Sequence, residues 1–210
     1  MKNPLLSSLL AACLAVSLFP IHSAAQSGPA PAPVVEAEVG AVKFSSVKFG
    51  SDTWLEADVE IEAKPGGKLV AGQFVDRVRV IITIGMDSTD EKTGKPVRLF
   101  YRSAAEALTL EGGKSDFRFY FPPEIVKRDK LRTPLNYYAV ELEVAGKAQA
   151  ASKASYSSTI TSAASLQNFI SKAANESVVN EGLLIPQFLT PFSIDAQKRA
   201  PAFSRKEAQR

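Results

Sequence analysis

The chain has 210 residues, 25 Lys and Arg against 22 Asp and Glu, and a single Cys and a single His. A formal charge of +3 is far from the dense basic face of a nucleic-acid binder, and one thiol excludes an internal disulfide framework. At this length an ordinary hydrophobic core supplies the stability that staples give to smaller domains.

The first 25 residues read as an export signal. Lys2 is followed by an apolar run from Pro4 to Phe19, then by Ser23 and Ala25, small residues that place cleavage before Gln26. Within the run, Leu9 to Cys13 spell "LLAAC", the residue order of a bacterial lipobox, in which the Cys is lipidated. In a lipobox the apolar run ends at the Cys, whereas here "LAVSLF" continues past it. The expectation is a cleaved signal over 1–25, with a lipidated Cys13 or a retained anchor as the alternatives. The run is shorter than the roughly 20 residues a bilayer needs, and no later stretch is long and apolar enough to span one. Cleavage also has a chemical consequence. It removes Cys13 and His22 together, so residues 26–210 carry neither thiol nor imidazole. Ser-His-Asp triads, Cys nucleophiles and His/Cys metal or haem sites are then excluded, and no cofactor is expected. The expected location is exported: periplasmic, surface-bound or secreted.

"SGPAPAPVVEAE" follows as a Pro/Ala linker over 26–38, extended and lacking a core-forming pattern. The folded part then reads as strands. "VGAVKFSSVKF" (39–49) has apolar Val42, Phe44, Val47 and Phe49, whose spacing changes phase at Ser45-Ser46 and predicts a bulge or kink there. "TWLEADVEIEA" (53–63) alternates strictly: Leu55, Ala57, Val59, Ile61 and Ala63 inward, Glu56, Asp58, Glu60 and Glu62 outward. That is a half-buried antiparallel strand. After the turn "KPGGK", "FVDRVRVIITIG" (74–85) puts Val78, Val80, Ile82 and Ile84 inward and Arg77 and Arg79 outward. "PVRLFYRS" (96–103) and "SDFRFYF" (115–121) are shorter strands, the second with Phe117, Phe119 and Phe121 on one face. "PPEIVKRDK" predicts a helical turn with Pro at its start. "NYYAVELEVAG" (136–146) is a long strand with Tyr138, Val140, Leu142 and Val144 inward, and "KASYSSTITSA" (153–163) a weaker edge strand. About seven strands separated by turn signals over 39–163 predict an all-β antiparallel sandwich.

The pattern changes after 163. "SLQNFISKAANES" places Leu166, Phe169, Ile170 and Ala173 on one helical face, with Ser165 as the expected N-cap. "VVNEGLLIPQFLTPFSID" is apolar but carries two prolines and reads as extended. Residues 164–195 are therefore expected to pack on the sandwich and cover an edge, with donation to a neighbouring subunit as the alternative. Residues 196–210 read as a flexible basic tail.

Several residue groups invite a chemical reading. Glu56, Asp58, Glu60 and Glu62 offer a cation or a basic partner a row of carboxylates, but their phase matches Arg77 and Arg79, and cross-strand ion pairing is the simpler expectation. Asp87, Asp90 and Glu91 in "MDSTDEKTG" supply hard oxygen ligands for Ca²⁺ at a spacing unlike an EF-hand, and the same residue types build hairpin loops. "SSVK" (Ser45–Lys48) and "KTG" (Lys92–Gly94) imitate a penicillin-binding signature without the helix and the S-D-N element that chemistry requires. Trp54, Phe100, Tyr101, Tyr120 and Tyr137 are candidates for a sugar-stacking face. No loop is long enough to build a cleft for carboxylate-pair glycoside hydrolysis. No residue is assigned a catalytic or metal-binding role, and no partner-binding residue is singled out.

"TWLEADVEIEA", "RVRVIITIG" and "NYYAVELEVAG" resemble the strand pattern of immunoglobulin-like sandwiches over residues 40–162, without the Cys pair and Cys-framed Trp of antibody domains. With the export signal and Pro-rich linker, the chain resembles small secreted immunoglobulin-like proteins found with type IV pilus-like systems of gut-dwelling bacteria. The resemblance implies a non-enzymatic structural or adhesive role at the cell surface, with envelope proteins or a host-surface glycoprotein as partners. The N-terminus lacks the Gly-Phe-type prepilin cleavage site and the Glu that follows it, so an accessory component is expected rather than a filament subunit. The alternative expectation is a periplasmic or surface ligand binder, with glycans as the ligand class.

Overall fold

The computed structural model describes residues 34–90, 92–194 and 200–204. The expected signal over 1–25, and residues 26–33 of the expected linker, lie outside them.

Two antiparallel sheets make up the body. In the first, β1 (Ala37–Phe49) pairs with β2 (Asp52–Ala63), β2 with β5 (Gly113–Phe121), and β5 with the two-residue β8 (Ile185–Pro186). The second runs β4 (Pro96–Glu111), β3 (Phe74–Thr89), β6 (Tyr137–Val144) and β7 (Lys147–Ala148). β1–β2, β3–β4 and β6–β7 are hairpins, and the chain changes sheet between β2 and β3, β4 and β5, and β5 and β6. This is the expected immunoglobulin-like sandwich. One strand is placed differently from an antibody constant domain: β4 stays beside β3 instead of joining the sheet of β1, β2 and β5.

Alternation decides which residues meet between the sheets. Leu55, Ala57, Val59, Ile61 and Ala63 of β2 are buried, as are Phe117, Phe119 and Phe121 of β5. Val78, Val80, Ile82 and Ile84 of β3 and Val140, Leu142 and Val144 of β6 face them in one continuous core. β4 runs eight residues beyond the expected end at Ser103, because "AAEALTL" continues its pairing with β3. Ala37 and Glu38, expected in the linker, already belong to β1.

Four further expectations are corrected. Pairing of β1 with β2 is unbroken through Ser45 and Ser46, and the register shift falls between Val39 and Ala41. The change of phase is a change of face: Val42 and Phe44 pack on the core, while Val47 and Phe49 project from the other side of the sheet. Arg77 and Arg79 do not pair with the carboxylates of β2, because the chain changes sheet after β2. Arg77 meets Glu106 and Arg79 meets Glu143 instead. Residues 153–163 form no strand. A 3₁₀ turn over Lys153–Ser155 is closed by reciprocal bonds between Ser152 and Ser155, and only Tyr156 bridges to β6, at Ala139. Hydroxyl side chains that bond locally compete with a ladder. The tail, finally, is not wholly free: Ala202–Ser204 lie along β4.

A polar cluster of Tyr101, Asp129 and Arg128 anchors one end of the core. Tyr101 is buried on the inner face of β4, its ring 5.0 Å from Phe121 in edge contact. Its hydroxyl donates to Asp129 Oδ2 at 2.7 Å, just past the helix α1 (Pro123–Arg128) that begins on Pro123 as expected. Arg128 donates to both oxygens of the same carboxylate at 2.7 Å. Burial pushes the Asp129 carboxyl up, but the bonds from Arg128 and Tyr101 outweigh it and hold the group below its usual range. Burial, with Asp129 adding to it, drives the Tyr101 phenol far upward.

Tyr101→Phe removes one hydrogen bond to a charged acceptor and is expected to cost about 1.5–3 kcal/mol at neutral pH. Because the Asp129 carboxyl is depressed in the folded state, its contribution is complete above the unfolded value of about 3.9 and fades as pH falls through the folded one. Urea unfolding of both proteins from pH 7 to pH 3 is expected to show the difference shrinking at the acid end. A difference independent of pH would contradict this role for Asp129.

Candidate interaction surface

The C-terminal part of the chain covers the outer faces of both sheets. Helix α2 (Ala163–Glu176) starts at Ser162, whose Oγ accepts from the Ser165 N–H at 3.1 Å, so the cap lies three residues before the expected Ser165. The expected face is the one that docks. Phe169 and Ala173 are buried against Phe100, Ala139 and Ile160, with Leu166 and Ile170 at the margin. Phe169 approaches so closely that a Cβ on Gly85 would lie 2.8 Å from its ring, so glycine is what lets the helix sit on β3. A 3₁₀ turn over Ser177–Asn180 follows, and Asn180 Nδ2 donates to the Phe100 carbonyl at 3.0 Å.

The segment 182–194 then passes to the first sheet. Leu184 enters the core and Ile185–Pro186 pair with Phe119 and Tyr120 of β5. This pairing covers the free edge of β5. Two 3₁₀ turns (Gln187–Leu189 and Pro191–Ile194) fold over the outer face. Gln187 Nε2 donates to the Phe192 carbonyl at 3.1 Å, and Thr190 Oγ1 donates to the Gln187 carbonyl at 2.8 Å. Phe192 stacks on Tyr120 at 4.4 Å and 10°, and meets Trp54 and Phe49 edge-on at 5.5 and 5.6 Å. The second apolar face of β1 and β2 is thus the seat of this strap.

The carboxylate row lies beside and beneath it. Tyr120 Oη donates to Glu56 Oε2 at 2.6 Å, and Glu56 is only 6% exposed. Burial, with Glu56 adding to it, drives the Tyr120 phenol far upward. Arg118, itself buried, meets Asp116 at 2.6 Å and Asp58 at 3.5 Å, Lys114 meets Glu60 at 2.8 Å, and Lys64 meets Glu62 at 3.3 Å. The row forms a cross-strand ladder with β5, and Glu56 is held by a buried phenol.

The other candidate groups are scattered. Asp87 pairs with Arg98, and Asp90 accepts from the backbone N–H groups of Lys92 and Thr93 at 2.8 Å, which hold its carboxyl below the usual range. Glu91 lies outside the described residues. Ser45 is on β1, while Lys92–Gly94 turn the hairpin between β3 and β4 of the opposite sheet. Of the aromatic residues, Phe100 lies under α2, Tyr101 is in the core, and Tyr120 is under Phe192. Tyr137 carries the Arg98 guanidinium over its ring at 3.7 Å, and Trp54 flanks the strap. The structure does not bring these five together as one platform.

What the strap and the turn after α2 present outward was not legible in the sequence. Val178 and Leu189 are about two-thirds exposed, and Val179 and Ile194 are each 86% exposed. Two adjoining grooves lie along β4, one lined by Leu189 and the other by Val178. One, of about 330 Å³, runs over Ala104 and Ala105 beside Phe188 and Leu189. The other, of about 280 Å³, runs over Ser103 and Ala104 beside Val178 and Glu181. Both are bounded by Arg79. Singly exposed apolar residues are ordinary on protein surfaces. Here Val178 and Leu189 line adjoining grooves, and the neighbouring Asn180, Gln187, Thr190 and Phe192 are buried and bonded.

Phe192→Ala deletes the ring that joins Tyr120, Trp54 and Phe49, and is expected to destabilise the protein by about 3–5 kcal/mol. Chemical denaturation is expected to show a lower midpoint with an unchanged slope. A midpoint within error of the parent would show that the strap contributes nothing to the folded unit.

No protein-family model matches the sequence, and no curated protein matches it. Among solved structures, the fold is similar to that of a crystal structure from Akkermansia muciniphila, with a TM-score of 0.59, 14% sequence identity, and coverage of 82% of this chain and 94% of that one. At that identity the likeness establishes a shared sandwich fold.

Proposed function

We propose that this chain is a non-enzymatic, exported accessory component of a pilus-like surface assembly, acting through protein contacts. The observation that carries the reading is the pair of adjoining grooves along β4 with Val178 and Leu189 among their lining residues, presented by elements that buried polar bonds hold in place. A pre-organised apolar rim beside charged residues is the usual make-up of a protein-binding surface. The signal pattern of residues 1–25 and the resemblance to secreted immunoglobulin-like proteins supply the compartment and the class of assembly. Among the described residues, no helix is long and apolar enough to cross a membrane, and no group of three or more acidic, His or Cys side chains is placed to hold a metal.

Deleting residues 182–210 is not a usable test, because Leu184 and Phe192 would leave the folded body with them. Surface substitutions avoid this. Val178→Asp with Leu189→Asp changes exposed positions and is expected to leave the thermal midpoint within a few degrees of the parent. In pull-downs from envelope extracts, the variant is expected to lose most of the partner proteins retained by the parent. An identical partner list would overturn the assignment of this groove.

A further inference from the structure

Cations on the strands are paired within the fold: Arg79 with Glu143, Arg98 with Asp87, Arg102 with Glu141, and Lys114 with Glu60. The turn that leaves α1 differs. Lys127, Arg128, Lys130 and Arg132 are all exposed. Among the described residues, no carboxylate lies within ion-pair distance of Lys127, Lys130 or Arg132, and Arg128 alone has one, the inward-facing Asp129. Glu124, at the start of the helix, is the one other acid between Pro122 and Asn136.

Main-chain bonds fix this turn. The Lys130 N–H donates to the Lys127 carbonyl at 3.3 Å, and the Leu131 N–H donates to the Val126 carbonyl at 3.0 Å. These are the two bonds of a Schellman motif, with Lys130 at its left-handed position. Leu131 and Leu135 are buried in the core, and Asp129 ties the turn to Tyr101. Glycine takes the left-handed position of such a motif without strain, yet a lysine holds it here at φ +53°. Cations in the last helical turn offset the helix dipole, which accounts for Lys127 and Arg128. It does not require a strained lysine beyond the helix, nor Arg132 two residues further on.

We propose that this turn binds an anionic polysaccharide, a linear chain bearing sulfate or carboxylate groups. Its cations are spread along exposed chain, which suits a ligand that repeats its charge along its length. Ammonium and guanidinium groups meet sulfate or carboxylate through charge-assisted hydrogen bonds, and Arg132 offers a fork for two oxygens of one group. Protein interfaces centre on apolar side chains, and no large apolar side chain between Pro122 and Asn136 is exposed. The same stretch has no aromatic residue on which a base could stack, and its four cations fall short of the basic face of a duplex binder. The turn lines neither groove on β4, so this site is separate from the surface assigned to an envelope partner.

Titration calorimetry of the full chain at low salt compares dextran sulfate and carboxymethyl dextran with neutral dextran of equal length. The expected result is binding to at least one charged chain, weakened by added salt, and none to neutral dextran. The tighter of the two charged chains names the anionic group. In the variant Lys127→Gln/Lys130→Gly/Arg132→Gln the affinity is expected to fall roughly tenfold, through loss of three exposed ion pairs. All three positions are exposed, and the thermal midpoint is expected to stay within a few degrees of the parent. Lys127→Arg/Lys130→Arg keeps the charge and is expected to keep the affinity; a loss as large as that of the triple variant would overturn the proposal. It is also overturned if neither charged dextran binds, if neutral dextran binds as well, or if the triple variant binds like the parent. Poly-glutamate or duplex DNA bound more tightly than either charged dextran would assign the turn to acidic protein or to nucleic acid and overturn it too. Val178→Asp/Leu189→Asp is expected to bind the charged dextran as the parent does, so this site and the envelope reading fail separately.

Discussion

The stack of Phe192 on Tyr120 is the contact on which the architecture turns. A two-sheet sandwich of this length closes one core between its inner faces, and its outer faces are ordinarily polar. Here both sheets also carry apolar side chains outward: Phe49, Trp54 and Tyr120 on one, Phe100 and Ala139 on the other. These faces are only compatible with a folded protein if something covers them. The chain supplies α2 for the second sheet and the strap for the first, and Phe192 is where the strap is fixed. Beneath it Glu56 is buried, and the Tyr120 hydroxyl donates a hydrogen bond to its carboxylate. A buried carboxylate without such a donor would cost several kcal/mol.

This arrangement explains which parts of the fold were legible in the sequence. β2 and β6 alternate strictly because one face of each meets the core, and period 2 reports that directly. β1 also alternates, but it changes apolar face midway, from Phe44 inward to Phe49 outward. A single-face reading turns that into a bulge. The second half of β4 is alanine-rich and has little hydrophobic contrast, so its length was hidden. Residues 153–163 carry β-branched and aromatic residues that read as a strand. Their hydroxyl groups bond to one another and to nearby backbone instead, as in the bond of Thr159 Oγ1 to the Asn136 carbonyl at 2.6 Å.

The candidate surface was less legible, for a related reason. Its rim residues lie in the turn after α2 and in the strap, where neither helical nor strand periodicity applies. Exposure of Val178 or Leu189 depends on which neighbours are anchored, and those anchors are long-range: Asn180 to Phe100, and Phe192 to Tyr120. The carboxylate row is legible in the sequence, but its cationic partners are not, because they depend on strand order. Phe203 gave the only local sign that the basic tail holds a contact, as a lone aromatic among small and charged residues. Without the assembled slot between Ala107, Phe117 and Phe188, that sign has no interpretation.

The central claim is that residues 163–194 are an integral layer of the fold and not an appendage. Native-state hydrogen exchange at increasing denaturant tests it most directly, read at the Leu166 and Thr190 amides, which donate to Ser162 and Gln187, against amides of β2 and β5. If the layer is integral, all of these exchange through one global opening and merge on a single free-energy line. Exchange of Leu166 and Thr190 through a separate low-energy opening, while β2 and β5 stay protected, would contradict the account.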